Sequence, residues 1–136
     1  MRILITGGAG YIGSTVASAC EEAGHEVVIL DDLSAGRHEF VKDRTFYEGD
    51  IADQPLLDRV FTEQGIDAVV HCAAKIIVPE SVADPLGYYE NNVGKTVALL
   101  KGMERNGVHR VLFSSSASIY ATDDEFKAVS YTHLRA

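Results

Sequence analysis

Three short runs in this chain carry residue types that do chemistry once they are held together. TGGAGYIG, residues 6 to 13, sets Gly7, Gly10 and Gly13 at the spacing of a loop that cradles a pyrophosphate. The first glycine makes the tight turn, the second lets the backbone approach the phosphates, and the third lets the next helix pack on its strand. The helix start, Tyr11 and Ile12 with Gly13, then faces the phosphates. Asp31 and Asp32 follow about 20 residues on, where a carboxylate accepts hydrogen bonds from ribose hydroxyls and repels a 2′-phosphate. NAD is therefore expected over NADP, with Asp31 more than Asp32 as the acceptor, the latter capping a turn. Arg37 either meets solvent or binds a 2′-phosphate. The third run is SSSASIY, a serine-rich loop, beyond which Tyr131 and Arg135 stand one helical turn apart.

These runs need a scaffold that gathers strand ends. Arg2 to Thr6 predicts a short buried strand, and Tyr11 to Ala23 a helix ending at Gly24. HEVVILDD predicts a second strand, LSAGRHEFVKD (residues 33 to 43) a loop, and TFYEGDI a third strand. A helix over Gln54 to Gln64 closes at Gly65, and IDAVVHC (residues 66 to 72) predicts the fourth strand. After a connection around Pro79, Leu86, Tyr89, Val93, Val97, Leu100 and Met103 recur three or four residues apart. That spacing predicts one long helix, with Tyr89 in the core. Gly107 ends it, and HRVLFSSS is a fifth strand entering a loop at the serines. Alternating helices and fully apolar strands predict an α/β fold, a doubly wound parallel sheet covered on both faces. Ligands of such sheets bind outside the carboxyl ends of the strands.

At 136 residues the chain suits one domain, and 46% hydrophobic with 24% charged residues is the balance of a globular protein. No apolar run approaches the roughly 20 residues that span a bilayer, so no membrane partner is expected. MRILITGGAG enters a strand with no charged leader, which predicts a cytoplasmic location. A formal charge of −8 without a cluster of Lys or Arg opposes a nucleic-acid partner. Cys20 and Cys72 have neither disulfide density nor metal-site spacing, so they read as small buried residues and no metal is expected.

TGGAGYIGS, DDLSAG, EGDI, HCAA, PESVADPLGYYENNVGKT and FSSSASIY, in order from residue 1 to about 120, resemble the extended short-chain dehydrogenase/reductases, on the branch that epimerises nucleotide sugars. The resemblance implies a Rossmann domain that holds NAD, a UDP-sugar substrate, and a homodimeric parent paired through helices that include the long one. It implies a hydride shuttle between NAD and C4 of the hexose, with a tyrosine phenolate taking the C4 hydroxyl proton. Dehydratases or decarboxylases of the same superfamily share this cofactor half, but a dehydratase would show Thr-Asp-Glu at residues 116 to 118. A non-catalytic NAD-binding module is the other alternative.

Position by position, the resemblance implies that Asp50 and Ile51 sit against the adenine; otherwise they end a strand in a turn. Ala73 and Ala74 line the cofactor, or are small for close packing alone. Asn92 matches an asparagine that contacts the cofactor, which would explain an amide at a locally unfavourable helix position. The lysine that many relatives carry two positions after the small pair has no match: Lys75 comes one early and Ile76 holds its place. Ser114 is implied to line the nicotinamide end. Ser116, four before Tyr120, is implied to be catalytic and to hold the sugar's reacting oxygen; its alternative is a serine loop satisfying its own backbone.

In the family the catalytic tyrosine and lysine come as Tyr-x-x-x-Lys some two dozen residues after the serine, and here only residues 117 to 136 follow. Tyr131 and Arg135 come too early, and arginine differs from lysine in geometry and pKa. VSYTHLRA, residues 129 to 136, looks like one reading frame of a transposase adapter from DNA library preparation. Residues 1 to 128 are thus expected to be an incomplete NAD-binding domain, truncated after the fifth strand, and 129 to 136 a non-native tail. Such a chain is expected to bind NAD weakly at most, to leave an open strand edge, and not to epimerise.

Overall fold

β1 (Arg2–Thr6), β2 (Glu26–Asp31), β3 (Thr45–Glu48), β4 (Ala68–His71) and β5 (Val111–Phe113) form one parallel sheet in the order β3-β2-β1-β4-β5. This computed structural model describes residues 1–116 and the backbone of 121–122 and 128–129; Tyr120, Tyr131 and Arg135 lie outside the described residues. The chain winds from β1 out to β3, then returns to lay β4 on the other side of β1. The winding therefore switches between β1 and β4, which opens a crevice at their carboxyl ends. This is the doubly wound α/β architecture that the apolar strands predict.

Each strand supplies both faces because side chains alternate along it. Leu4, Val28, Leu30 and Val69 pack on one face with Leu57, Val60 and Phe61 of α2 (Gln54–Gln64) and Leu99 and Met103 of α5 (Lys95–Arg105). Ile3, Ile5, Val27, Ile29 and Val70 enter a second core with Ala17 of α1 (Tyr11–Glu22). Local chemistry sets the ends of α2: the Asp53 carboxylate accepts from Leu56 N–H at 3.1 Å, and Gly65, at φ 58°, turns the chain away while its N–H bonds Phe61 O.

Two connections and the long helix depart from expectation. The loop at 33–43 holds a 3₁₀ turn (His38–Phe40), and the connection around Pro79 forms α3 (Val78–Ala83). Asp84 then caps α4 (Pro85–Tyr89), accepting from Gly87 N–H at 3.0 Å. The long helix is not uniform: Glu90–Gly94 forms a π turn, in which Lys95 N–H bonds the Glu90 carbonyl five residues back, before α5 begins. The predicted apolar stripe does not face the core either. Leu86 and Tyr89 are 79% and 69% exposed, and Val93, Val97 and Leu100 are exposed too, leaving Met103 alone of the stripe buried. α5 packs instead through Leu99, Gly102 and Met103, where a Cβ on Gly102 would lie 2.9 Å from Leu57 Cδ1. The helix is apolar on two sides, and the side carrying the small residue docks on α2.

Among the described residues β5 pairs with β4 alone, and Val111, Leu112 and Phe113 are all exposed along it. β6 (Ala121–Thr122) and β7 (Ala128–Val129) pair antiparallel in a separate sheet. Cys20 and Cys72 are half-buried rather than buried. Among the described residues no helix is long and apolar enough to cross a membrane, and no group of three or more His, Cys, Asp or Glu could hold a metal ion.

Candidate functional site

The crevice at the switch in winding is a cleft of about 850 Å³, part of it open to solvent. Its floor is the glycine loop. Gly7 has φ +72°, and a Cβ there would lie 2.7 Å from Ala73 N, so the loop lies flat on the exit of β4 only because residue 7 has no side chain. A Cβ on Gly13 would lie 2.2 Å from the Gly7 oxygen, so the start of α1 sits directly on the loop. Gly10 differs: a Cβ there would meet only Gly7 O, at 3.3 Å, and Gly10 faces the cleft. Gly10 caps α1 with no side-chain hydrogen bond, which leaves the positive end of the helix dipole without a side-chain acceptor. Tyr11 and Ile12 are 78% and 54% exposed and are not among the residues that line the cleft.

Across the loop, the Asp31 carboxylate is 7% exposed and accepts from Ala9 N–H at 3.0 Å and Leu33 N–H at 2.8 Å. It braces the glycine loop while each oxygen keeps acceptor capacity. Leu33 adopts φ 57° to make this bond, a left-handed conformation that costs a non-glycine residue about 1–2 kcal/mol. Asp32 is exposed and closes a turn by accepting from Ser34 N–H at 2.9 Å and Ser34 Oγ at 2.6 Å. Burial works against its charged form, but the Ser34 bonds and the charge of Lys95 outweigh it and hold its pKa below the ordinary range. Arg37 is exposed, and its backbone N–H bonds Ala9 O at 2.8 Å.

Asp50 and Ile51 line the same end of the cleft, and Ala73 with Ala74 line the exit of β4. Asp50 accepts from Ala52 N–H at 2.8 Å and pairs with Lys95. Lys75, one before the position of the family's lysine, and Ile76, at that position, both line the cleft; the Lys75 ammonium lies 5.7 Å from the Tyr88 ring centroid.

Asn92 is not in the cleft. Its amide clasps the main chain of Lys75, accepting from Lys75 N–H and donating to Lys75 O, both at 2.9 Å. That clasp accounts for an amide inside a helix. Its neighbour Asn91 lines the cleft instead, as does Lys95, and both escaped sequence reasoning. The signal was their spacing of four, which puts them on one helix face.

Beneath the site a buried histidine ties the sheet to the π turn. His71, 3% exposed, bonds Thr6 Oγ1 through Nδ1 at 2.6 Å and Thr96 Oγ1 through Nε2 at 2.9 Å. Thr96 Oγ1 donates its own proton to Asn92 O at 2.8 Å, so it accepts from His71 Nε2–H, and Thr6 donates to Nδ1. Burial lowers the pKa of the ring and so favours this neutral arrangement, with the proton on Nε2. Ser114 N–H bonds His71 O at 3.0 Å at the end of β5; Ser114 and Ser116 are exposed and lie outside the cleft lining.

These features fit a dinucleotide: a cradle that a Cβ at Gly10 would enter, and beside it a carboxylate whose oxygens keep acceptor capacity. Fold and site together define a dinucleotide-binding Rossmann domain. The model of the NAD dependent epimerase/dehydratase family matches residues 3–135, and the chain belongs to that family. Among curated relatives it is similar to the UDP-glucose 4-epimerase of Halalkalibacterium halodurans (50% identical over 120 residues, covering 88% of this chain and 36% of that one). It is also similar to that of Azospirillum brasilense (48% over 124 residues, 90% and 36%). Among solved structures it resembles the UDP-glucose 4-epimerase of Stenotrophomonas maltophila with bound NAD and formylated UDP-arabinopyranose (TM-score 0.85, 39% identity, 91% of this chain and 39% of that one). The chain thus spans under half the length of the proteins it matches.

Proposed function

We propose that the cleft binds NAD, with the adenosine half between Asp31 and Asp50, the adenine against Ile51, and the pyrophosphate over Gly10 and the start of α1. The observation that carries this reading is Gly10, which faces the cleft and where a Cβ would meet only the Gly7 oxygen, at 3.3 Å. The carboxylates at the adenosine end support NAD over NADP. Residues 1 to 128 then form the cofactor-binding part of a UDP-glucose 4-epimerase that interconverts UDP-glucose and UDP-galactose, and 129 to 136 a non-native tail. We place it in galactose metabolism in the cytoplasm, as part of a homodimer.

When bound, NAD supplies reversible hydride transfer with the sugar. The chain's own part is to bind and orient: Ala73 and Ala74 admit the dinucleotide, Ser114 borders the nicotinamide end, and Ser116 holds the sugar's C4 oxygen. No tyrosine of the 136 residues is followed four positions later by a lysine, so the sequence supplies no phenolate of the family pattern to take the C4 proton.

Calorimetric titration with NAD and NADP tests the proposal. Saturable NAD binding that weakens at least about tenfold for NADP is expected, since a 2′-phosphate would enter beside Asp31 and Asp32. Equal affinity for both would contradict the assignment of the carboxylates.

A further inference from the structure

The π turn delivers Lys95 to the far wall of the cleft. Its Nζ lies 2.5 Å from Asp50 Oδ2, although the two residues are 45 apart in sequence. The other Asp50 oxygen accepts from Ala52 N–H at 2.8 Å, so the carboxylate is fixed by one donor on each oxygen. What each oxygen has left is acceptor capacity, and an ionised carboxylate has no hydrogen to give. Lys95 and Asp50 both line the cleft, with side chains 26% and 41% exposed, so the pair is open to a ligand there.

Charge balance explains why a cation is needed at this wall. Asp31, Asp32 and Asp50 all line the cleft, and the other lysine there, Lys75, holds its ammonium against Tyr88. Without Lys95, Asp50 would keep one anchor in a cleft lined by three more carboxylates, Asp31, Asp32 and Glu80. Rotation about the one remaining anchor would then end its fixed orientation.

We propose that Lys95 is a positioning residue for recognition of the base: it holds the Asp50 carboxylate as a fixed, acceptor-only group that takes a hydrogen from the 6-amino group of adenine and rejects a 6-oxo purine. The inference rests on the reading that the adenosine half of the dinucleotide lies at Asp31 and Asp50. A 6-oxo group presents an acceptor where the 6-amino group presents donors, and two acceptors facing each other lose both the bond and the water each gave up.

The test compares the affinity of the full chain for NAD and for nicotinamide hypoxanthine dinucleotide, measured by saturation-transfer NMR, which reads weak binding. The unsubstituted chain is expected to prefer NAD by about tenfold or more, the size of a hydrogen bond to a charged group. Lys95→Met, which keeps the stem and removes the charge, is expected to bring that preference within about twofold, and Lys95→Arg to keep it. Lys95→Gln is a second neutral variant with the same expectation should Lys95→Met fail to fold. A full preference in the neutral variants, or none in the unsubstituted chain, overturns the inference and leaves NAD binding standing. Failure of the unsubstituted chain to bind either dinucleotide overturns the cofactor reading and the inference with it.

Discussion

A methyl group added at Gly13 would come within 2.2 Å of the Gly7 oxygen, whereas one added at Gly10 meets that oxygen at 3.3 Å and nothing else. The two positions therefore separate folding from binding. Gly13→Ala is expected to destabilise the chain by about 1–3 kcal/mol, the usual penalty for overpacking, read by thermal unfolding. Gly10→Ala is expected to stay within about 1 kcal/mol of the unsubstituted chain and to weaken NAD binding at least about tenfold. His71 carries a different signature. Burial depresses its pKa in the folded chain from the ordinary 6.5, so the unfolded chain takes up the proton first as pH falls. Its contribution to stability is complete above pH 6.5 and is lost as the pH drops through the folded value. The Tm is expected to decline from pH 6.5 toward 5, with a flatter profile in His71→Gln. Glu21 and Asp58, whose pKa values are lowered by bonds to Arg44 and Arg105, lose their contributions below their ordinary 4.5 and 3.8, outside that window.

The elements that position these residues were legible to different degrees, for physical reasons. β1, β2 and β4 are buried on both faces and so read as short apolar runs, and the glycine loop and Gly65 act through local backbone conformation. A helix with two apolar sides is harder: periodicity reports the sides without saying which one meets the sheet. The π turn, the Asn92 clasp and the Lys95 pair depend on helix phase and on partners 17 and 45 residues away, which no local pattern records. The same geometry leaves Tyr89, Val93, Val97 and Leu100 exposed along α4, the π turn and α5. A contiguous apolar surface of this kind favours association. If the homodimer forms through these helices, Val97→Glu lowers self-association in sedimentation velocity without lowering the Tm by more than about 0.5 kcal/mol in equivalent stability. An unchanged association constant would move the interface elsewhere, with the open edge of β5 the first place to look.

At the scale of the whole molecule, the chain carries a cofactor cleft without a Tyr-x-x-x-Lys pair, and it spans 36% of the length of the Azospirillum and Halalkalibacterium epimerases. The purified chain is therefore expected to give no measurable interconversion of UDP-galactose and UDP-glucose in a coupled assay while retaining NAD binding. Sequencing the source locus across codon 128 tests the reading of the tail, which fails if codons 129 to 136 are genomic. Binding of NAD in the switch-point cleft is tested by an amide-resolved NMR titration of the chain with NAD. Saturable shifts are expected at Gly7, Gly10, Asp31, Asp50 and Asn91, all reduced together in Gly10→Ala. Unmoved amides at these positions at saturating NAD, or shifts confined to the surface around Pro85 and Tyr89, would contradict it.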